Sequence, residues 1–73
     1  MKENEVVDII KKELCVDSIE MDKEGQWDSL DLVTVLIALD TAFDDKLKDV
    51  RELQTVKTPR DVINVLRSKG FVE

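Results

Sequence analysis

The segment from Ser29 to about Phe43 contains neither Gly nor Pro and is dominated by apolar residues, which predicts a helix. At about 100° per residue, five of its apolar residues fall on one arc of about 100°: Leu32, Val35, Leu36, Leu39 and Phe43. This arc is sufficient to face a hydrophobic core, so the other elements of the chain must pack against it.

A second apolar arc on the same helix contains Leu30, Val33 and Ile37, on the side of Ser29 and Asp40. A helix in a small bundle does not need this second stripe for its core. The three residues are either buried against another element, which is the commoner fate of apolar side chains, or exposed as a docking surface.

The remaining helices are predicted on either side of this segment. Apolar residues at helical spacing predict a first helix from Asn4, or just before it, to Leu14, with Asn4 as the candidate N-cap. A polar loop follows from about Cys15 to Asp28, and we expect Ile19 and Met21 to anchor it.

A short third helix is expected over Asp49–Leu53, and a better-defined fourth helix follows it. Thr58 is its predicted N-cap, with Pro59 at the first position and Asp61 at the third, and Gly70 ends it. No segment alternates as a strand would. We therefore expect an all-α fold, a small four-helix bundle with three long helices and a short third one, as a single domain over residues 1–73.

Composition argues against an enzyme. The chain of 73 residues has no His and one Cys, so the commonest general base and the usual zinc ligands are missing. The acidic residues lack the spacing of a calcium loop. We expect no catalysis by the bare chain and no metal site.

The compartment and partners follow from the same composition. A lone Cys15 forms no internal disulfide, no apolar run is long enough to span a membrane, and the first residues lack a signal-peptide core. We expect a cytoplasmic, monomeric protein in which Cys15 is a semi-buried structural thiol and Trp27 packs beneath the long loop, although Trp27 could also lie beside a bound group.

Charge is unevenly distributed along the chain, whose net charge is −6. Residues 13–45 contain ten acidic residues and one basic residue. This acidic stretch excludes nucleic acid as its partner and favours basic patches on other proteins, or it is a solvated face that maintains solubility.

Ser29 is the serine best placed for an anionic group. It opens a helix, where free N–H groups and the positive end of the dipole favour a phosphate. Ser68 lies near a helix C-terminus, and Ser18 lies in the loop with no helix behind it. By itself, the Asp28-Ser29 pair is more often a simple helix cap.

The chain resembles the acyl carrier proteins along nearly its whole length. The resemblance rests on Asp28-Ser29-Leu30-Asp31, on the apolar register that continues to Phe43, and on the run from Thr58 to Ile63. It implies that a phosphopantetheinyl transferase (holo-ACP synthase) attaches 4′-phosphopantetheine to Ser29. Acyl groups are then carried as thioesters, and the protein itself does no chemistry.

The resemblance also implies a docking face for acyl-loading, condensing or acyltransferase enzymes of fatty-acid, polyketide or dedicated lipid pathways. Its apolar centre is formed by Leu30, Val33 and Ile37, and its charged rim by Asp31 and Asp40, while Asp28 supports recognition by the transferase. Such enzymes would present basic docking patches.

Several positions depart from the family pattern. Thr34 and Thr41 stand where acids are usual, and Cys15 stands where Gly is common. These departures favour a specialised stand-alone carrier over a housekeeping one. An aminoacyl, peptidyl or D-alanyl carrier and an unmodified helical adaptor remain the alternatives.

Overall fold

The computed structural model describes residues 1–73 and contains α-helices, one 3-10 helix and no strands. In chain order these are α1 (Glu3–Leu14), α2 (Ser29–Ala42), the 3-10 helix (Arg51–Thr55) and α3 (Pro59–Ser68). The all-α prediction is confirmed. The short third helix predicted over Asp49–Leu53 is a 3-10 helix two residues further on. The predicted four-helix bundle is therefore not confirmed, because the fold has three α-helices and a 3-10 helix.

The core is one cluster to which every helix contributes. Its buried side chains come from α1, α2, α3, the 3-10 helix, the segments that flank the 3-10 helix and the residues after α3: Val6, Ile10, Val35, Leu39, Leu47, Leu53, Val56, Val62, Ile63, Leu66 and Val72. Leu32, Leu36 and Phe43 of the predicted core arc are half-buried against this cluster. The predicted core face of α2 is therefore the observed one.

The start of α1 agrees with the prediction, but its N-cap residue differs. The helix begins at Glu3 with Lys2 as its N-cap, and no side chain caps it. Asn4 lies within the first turn and was wrongly predicted as the cap. Glu3 and Glu5 in the first turn complement the helix dipole, so charge replaces the missing side-chain cap.

The end of α1 is closed by a left-handed residue. Cys15 has φ 57° and ψ 43°, and its N–H donates to the Lys12 carbonyl at 3.2 Å. The Val16 N–H donates to the Lys11 carbonyl at 3.1 Å, which completes a Schellman motif. Cys15 is exposed, so the semi-buried prediction was wrong, because the left-handed turn begins immediately after Leu14, the last residue of the apolar face.

The long loop between α1 and α2 is held against α3. Ile19 and Met21 pack against the core, as predicted. The Met21 carbonyl accepts the Arg60 N–H at 2.8 Å, which satisfies one of the free N–H groups at the start of α3. The Arg60 Nε also donates to Asp22 Oδ1 at 2.6 Å, and this hydrogen bond raises the pKa of Arg60.

Gln26 closes the second half of the loop on itself. Its side-chain nitrogen donates to the carbonyls of Glu20 and Lys23, both at 2.7 Å, and its oxygen accepts the Glu20 N–H at 2.8 Å. Trp27 is half-buried against the core, so the packing prediction is confirmed. These contacts fix the conformation of the loop just before the start of α2.

Both predicted ends of α3 are confirmed. Thr58 Oγ1 accepts the Asp61 N–H at 3.1 Å, and Asp61 Oδ2 accepts the Thr58 N–H at 3.2 Å, which is a full capping box. At the other end Gly70 has φ 82°, and the Phe71 N–H donates to the Leu66 carbonyl at 2.8 Å. The Phe71 ring then packs edge-on against Phe43 with centroids 5.1 Å apart.

None of these helices combines the length and the apolar character that crossing a membrane would require.

Candidate functional site

Ser29 is the first residue of α2, directly after the N-cap Asp28. The Asp28 carboxylate accepts the Asp31 N–H at 2.8 Å, and the Asp31 carboxylate accepts the Asp28 N–H at 3.5 Å. Two acidic residues thus form the capping box in place of the more usual Ser/Thr and Glu pair. Because Asp28 is the N-cap, the Ser29 hydroxyl is not needed to cap the helix.

Two backbone donors remain at this end of the helix. The first N–H groups of a helix have no intrahelical acceptor, and the capping box engages only that of Asp31. The N–H groups of Ser29 and Leu30 make no hydrogen bond to another protein group. Together with the exposed Ser29 hydroxyl and the helix dipole, they form a surface suited to a phosphate group.

The other two serines lack this arrangement. Ser68 lies in the last turn of α3, and its hydroxyl donates to the Val65 carbonyl at 2.7 Å. Ser18 is exposed in the loop between α1 and α2, outside any helix. The structure therefore retains the distinction between Ser29 and the other serines that the sequence predicts.

Ser29 also borders a cavity of about 450 Å³. The cavity lies between α2 and the segment that leads into the 3-10 helix. Seven of its lining residues are apolar: Leu32, Val33, Leu36, Ile37, Leu47, Val50 and Leu53. Its polar lining comprises Ser29, Asp40, Lys48 and Gln54. An apolar chain tethered to Ser29 could enter this cavity directly.

The second apolar stripe of α2 is exposed. Leu30 is 78% exposed, Val33 is 53% exposed and Ile37 is 63% exposed. Of the two outcomes open from the sequence, burial against another element is not observed. Three large apolar side chains on one side of a helix, next to Ser29, are typical of an interaction surface.

Asp40 lies at the other end of this stripe and is held in place. Its Oδ1 accepts the Leu47 N–H at 2.9 Å. This hydrogen bond joins the last turn of α2 to the cavity wall, and Asp40 is only half-exposed. Asp40, predicted as a rim residue of the docking face, therefore also has a structural role. Periodicity along α2 could not reveal this role, because Leu47 lies outside the helix.

Sequence reasoning missed the second wall of the cavity. Lys48, Val50 and Gln54 were not predicted as site residues, and they face α2 across the cavity. The irregular turn after α2 and the 3-10 helix have no apolar period that would mark an inner face. Elsewhere, no group of three or more His, Cys, Asp or Glu residues is arranged to hold a metal ion.

The chain is 33% identical to an acyl carrier protein of Clostridium acetobutylicum, and the match covers 86% of this chain and 88% of that protein. No protein-family model matches the chain, and no solved structure gives a significant match. Because the match at this identity extends through most of both chains, the protein belongs to the acyl carrier protein family, whose members are carriers and not enzymes.

Proposed function

We propose that the protein carries acyl groups on a 4′-phosphopantetheine arm attached to Ser29. Membership of the family implies such a prosthetic group. The observation that supports Ser29 as its attachment point is the exposed hydroxyl at the first position of α2, beside two unengaged N–H groups and the apolar cavity. When attached, the arm supplies a thiol on which acyl groups are held as thioesters.

The residues around Ser29 fit this group. The phosphodiester would lie at the positive end of the α2 dipole, within reach of the N–H groups of Ser29 and Leu30. Asp28 and Asp31 hold each other in the capping box, so the helix start is ordered before modification. We propose that Asp28 also supports recognition by the transferase.

The attachment step requires a base from outside the chain. The Ser29 Oγ forms the new bond to phosphorus, the pyrophosphate bond of coenzyme A breaks, and the adenosine bisphosphate leaves. The serine proton must pass to another group, and the chain has no His. We therefore assign the base to the phosphopantetheinyl transferase, and this chain contributes only a positioned nucleophile.

The cavity supports an apolar cargo. Seven of its eleven lining residues are apolar, and Leu32, Leu36 and Leu47 are buried or half-buried at its inner side. An acyl chain in contact with these side chains would be removed from water, at about 25 cal/mol for each Å² of apolar surface buried. The name of the Clostridium relative also favours an acyl cargo over the aminoacyl alternative, which would use the same attachment.

We further propose a monomeric, single-domain carrier dedicated to one pathway. The single core cluster supports the one domain. Thr34 and Thr41, at positions that are usually acidic in the family, support the specialised role. Acyl-loading, condensing or acyltransferase enzymes are the proposed partners. Their basic docking patches stay a prediction from the ten acidic residues in 13–45, half of which lie in the loop before α2.

Intact-mass measurement after co-expression with a broad-specificity phosphopantetheinyl transferase tests the proposal. We expect a gain of one phosphopantetheine mass in the wild-type chain and none in Ser29→Ala. Ser18→Ala is the matched control, because it removes an exposed hydroxyl outside any helix and should leave the gain intact. Undiminished loading of Ser29→Ala would contradict the assignment of Ser29.

A further inference from the structure

One face of α2 is exposed along its whole length. We define the outer face of α2 as Leu30, Val33, Thr34, Ile37 and Thr41, which fall on one arc of about 100°. All five residues are exposed. The face begins beside Ser29, so an enzyme that reaches the Ser29 hydroxyl must cover its first turn.

This face has no charged residue. Its two threonines also direct their hydroxyl protons into the helix. Thr34 Oγ1 donates to the Leu30 carbonyl at 3.2 Å, and Thr41 Oγ1 donates to the Ile37 carbonyl at 3.0 Å. With the hydroxyl protons engaged, no free side-chain donor remains on this face, and apolar carbon makes up most of its surface.

The nearest acidic residues on α2 are engaged in its own structure. Asp31 takes part in the capping box with Asp28. Asp40 accepts the Leu47 N–H at 2.9 Å and is only half-exposed. No residue between Leu32 and Leu39 is charged. A basic partner surface would therefore find no free carboxylate along the middle of α2.

We propose that the phosphopantetheinyl transferase contacts the outer face of α2 through an apolar surface without net charge, which rests on the proposed function of Ser29. A Lys or Arg brought against this face would lose its hydration and gain no ionic partner, so an apolar contact complements the face better. The acidic loop residues then steer the encounter at a distance and add little to the docked complex.

Charge substitutions on the outer face of α2 test whether its contact with the transferase is apolar or ionic. The measurement is the KM of the transferase for the carrier, with Thr34→Glu and Thr34→Lys compared in parallel. Both variants should raise KM by about fivefold or more, because either charge is buried against apolar surface. Opposite effects of the two charges, or no effect of either, would overturn the proposal in favour of an ionic contact or of docking elsewhere.

Asn64→Glu and Asn64→Lys are the matched controls for net charge. Asn64 is exposed in the middle of α3, so these variants make the same changes in charge on a different helix. We expect both to leave KM within about twofold of the wild-type value, because exposed charges act weakly across the molecule at physiological salt. Changes as large as those at Thr34 would show that net charge, and not the outer face, governs docking.

Truncation of the apolar side chains gives an independent readout. Ile37→Ala should raise KM by about tenfold with kcat retained, since the loss of buried apolar surface weakens docking and leaves the Ser29 hydroxyl in place. Val16→Ala, in the loop after α1, removes methyl groups from another exposed valine and should leave KM unchanged. An unchanged KM in Ile37→Ala would contradict the apolar contact.

Salt dependence separates the same two models in the wild-type protein. The rate at which the carrier dissociates from the transferase should change by less than about twofold between about 50 mM and about 500 mM NaCl, because the steering charges act on the association rate. A steep rise of this dissociation rate with salt would overturn the proposal. Failure of the proposed function is distinguishable from all these outcomes, because a wild-type chain that is never modified gives no KM to compare.

Discussion

Asp40 and Leu47 join the end of α2 to the wall of the cavity through a single hydrogen bond. The Leu47 N–H donates to Asp40 Oδ1 at 2.9 Å, and Leu47 is buried. An acidic residue in the last turn of a helix is disfavoured by the dipole, and α2 has no basic residue there to offset it. The hydrogen bond to Leu47 gives this unfavourable position a structural purpose.

Removal of the Asp40 carboxylate should destabilise the fold. We expect Asp40→Ala to lower the free energy of unfolding by about 1–3 kcal/mol, because the Leu47 N–H loses its acceptor. Asp40→Asn keeps an acceptor and removes the charge from the helix end, so its free energy of unfolding should fall less than that of Asp40→Ala. Urea denaturation compares the two variants, and faster hydrogen exchange at the Leu47 amide in Asp40→Ala locates the effect. Equal losses in Ala and Asn would contradict the role of the hydrogen bond.

A glycine at position 15 should stabilise the protein. Cys15 adopts the left-handed conformation that closes α1, and a residue with a Cβ is strained there by about 1 kcal/mol. Cys15→Gly should recover about 0.5–1 kcal/mol, reduced in part by the greater freedom of glycine in the unfolded chain. Cys15→Ala is the control, because it removes the thiol and keeps the Cβ. Equal denaturation midpoints for the Gly and Ala variants would contradict the explanation.

The cap of α3 should contribute measurably to stability. Thr58 is buried, and its Oγ1 accepts the Asp61 N–H at 3.1 Å. Thr58→Ala should lower the free energy of unfolding by about 1–2 kcal/mol, since the first turn of α3 loses this acceptor. Thr58→Ser retains the hydroxyl, so its free energy of unfolding should fall clearly less than that of Thr58→Ala. Thermal or urea denaturation measures both, and a Ser variant as unstable as the Ala variant would point to methyl packing in place of capping.

The ion pair between Glu52 and Lys69 should make a small part of the stability depend on pH. The two side chains are 2.8 Å apart, and the hydrogen bond from Lys69 lowers the pKa of Glu52. The folded pKa lies below the unfolded one, so this contribution is present above the unfolded pKa of about 4.3 and is lost as pH falls through the folded value.

In Glu52→Gln, the free energy of unfolding should therefore decrease less on acidification than in the wild type. Wild-type protein should lose more of its unfolding free energy than Glu52→Gln between about pH 5 and about pH 3, and added salt should shrink the difference because the pair is exposed. Lys69→Gln should likewise lose less unfolding free energy on acidification than the wild type, since it removes the other partner of the ion pair. Parallel stability curves for wild type and Glu52→Gln across this range would contradict the assignment.

The helices and their ends follow from signals that act within a few residues. The box from Thr58 to Asp61, Gly70 after α3, and the apolar core arc of α2 all predicted what the structure contains. The position of Ser29 at the start of α2 follows in the same way. Capping and periodicity are local, because a hydrogen bond from a cap spans only three residues, and these features were therefore readable from the sequence.

Local signals failed where the backbone departs from a regular period. Asn4 was expected to cap α1 and lies inside it, and Cys15 was expected to be half-buried and is exposed. The short helix expected over Asp49–Leu53 is a 3-10 helix at Arg51–Thr55. The cap of α1 and the short helix each lie two residues from the predicted position, and Cys15 adopts the left-handed conformation that closes α1.

Tertiary packing alone decided the features that surround Ser29. Periodicity placed Leu30, Val33 and Ile37 on one side of α2, and it left open whether another element covers them. The cavity and the bond from Leu47 to Asp40 likewise depend on residues that lie outside the helix. Thus the sequence alone determined the helices and the place of Ser29, while exposure of the stripe and the shape of the cavity were decided by the fold. Burial depends on which distant segments of the chain pack together, and no local pattern encodes that.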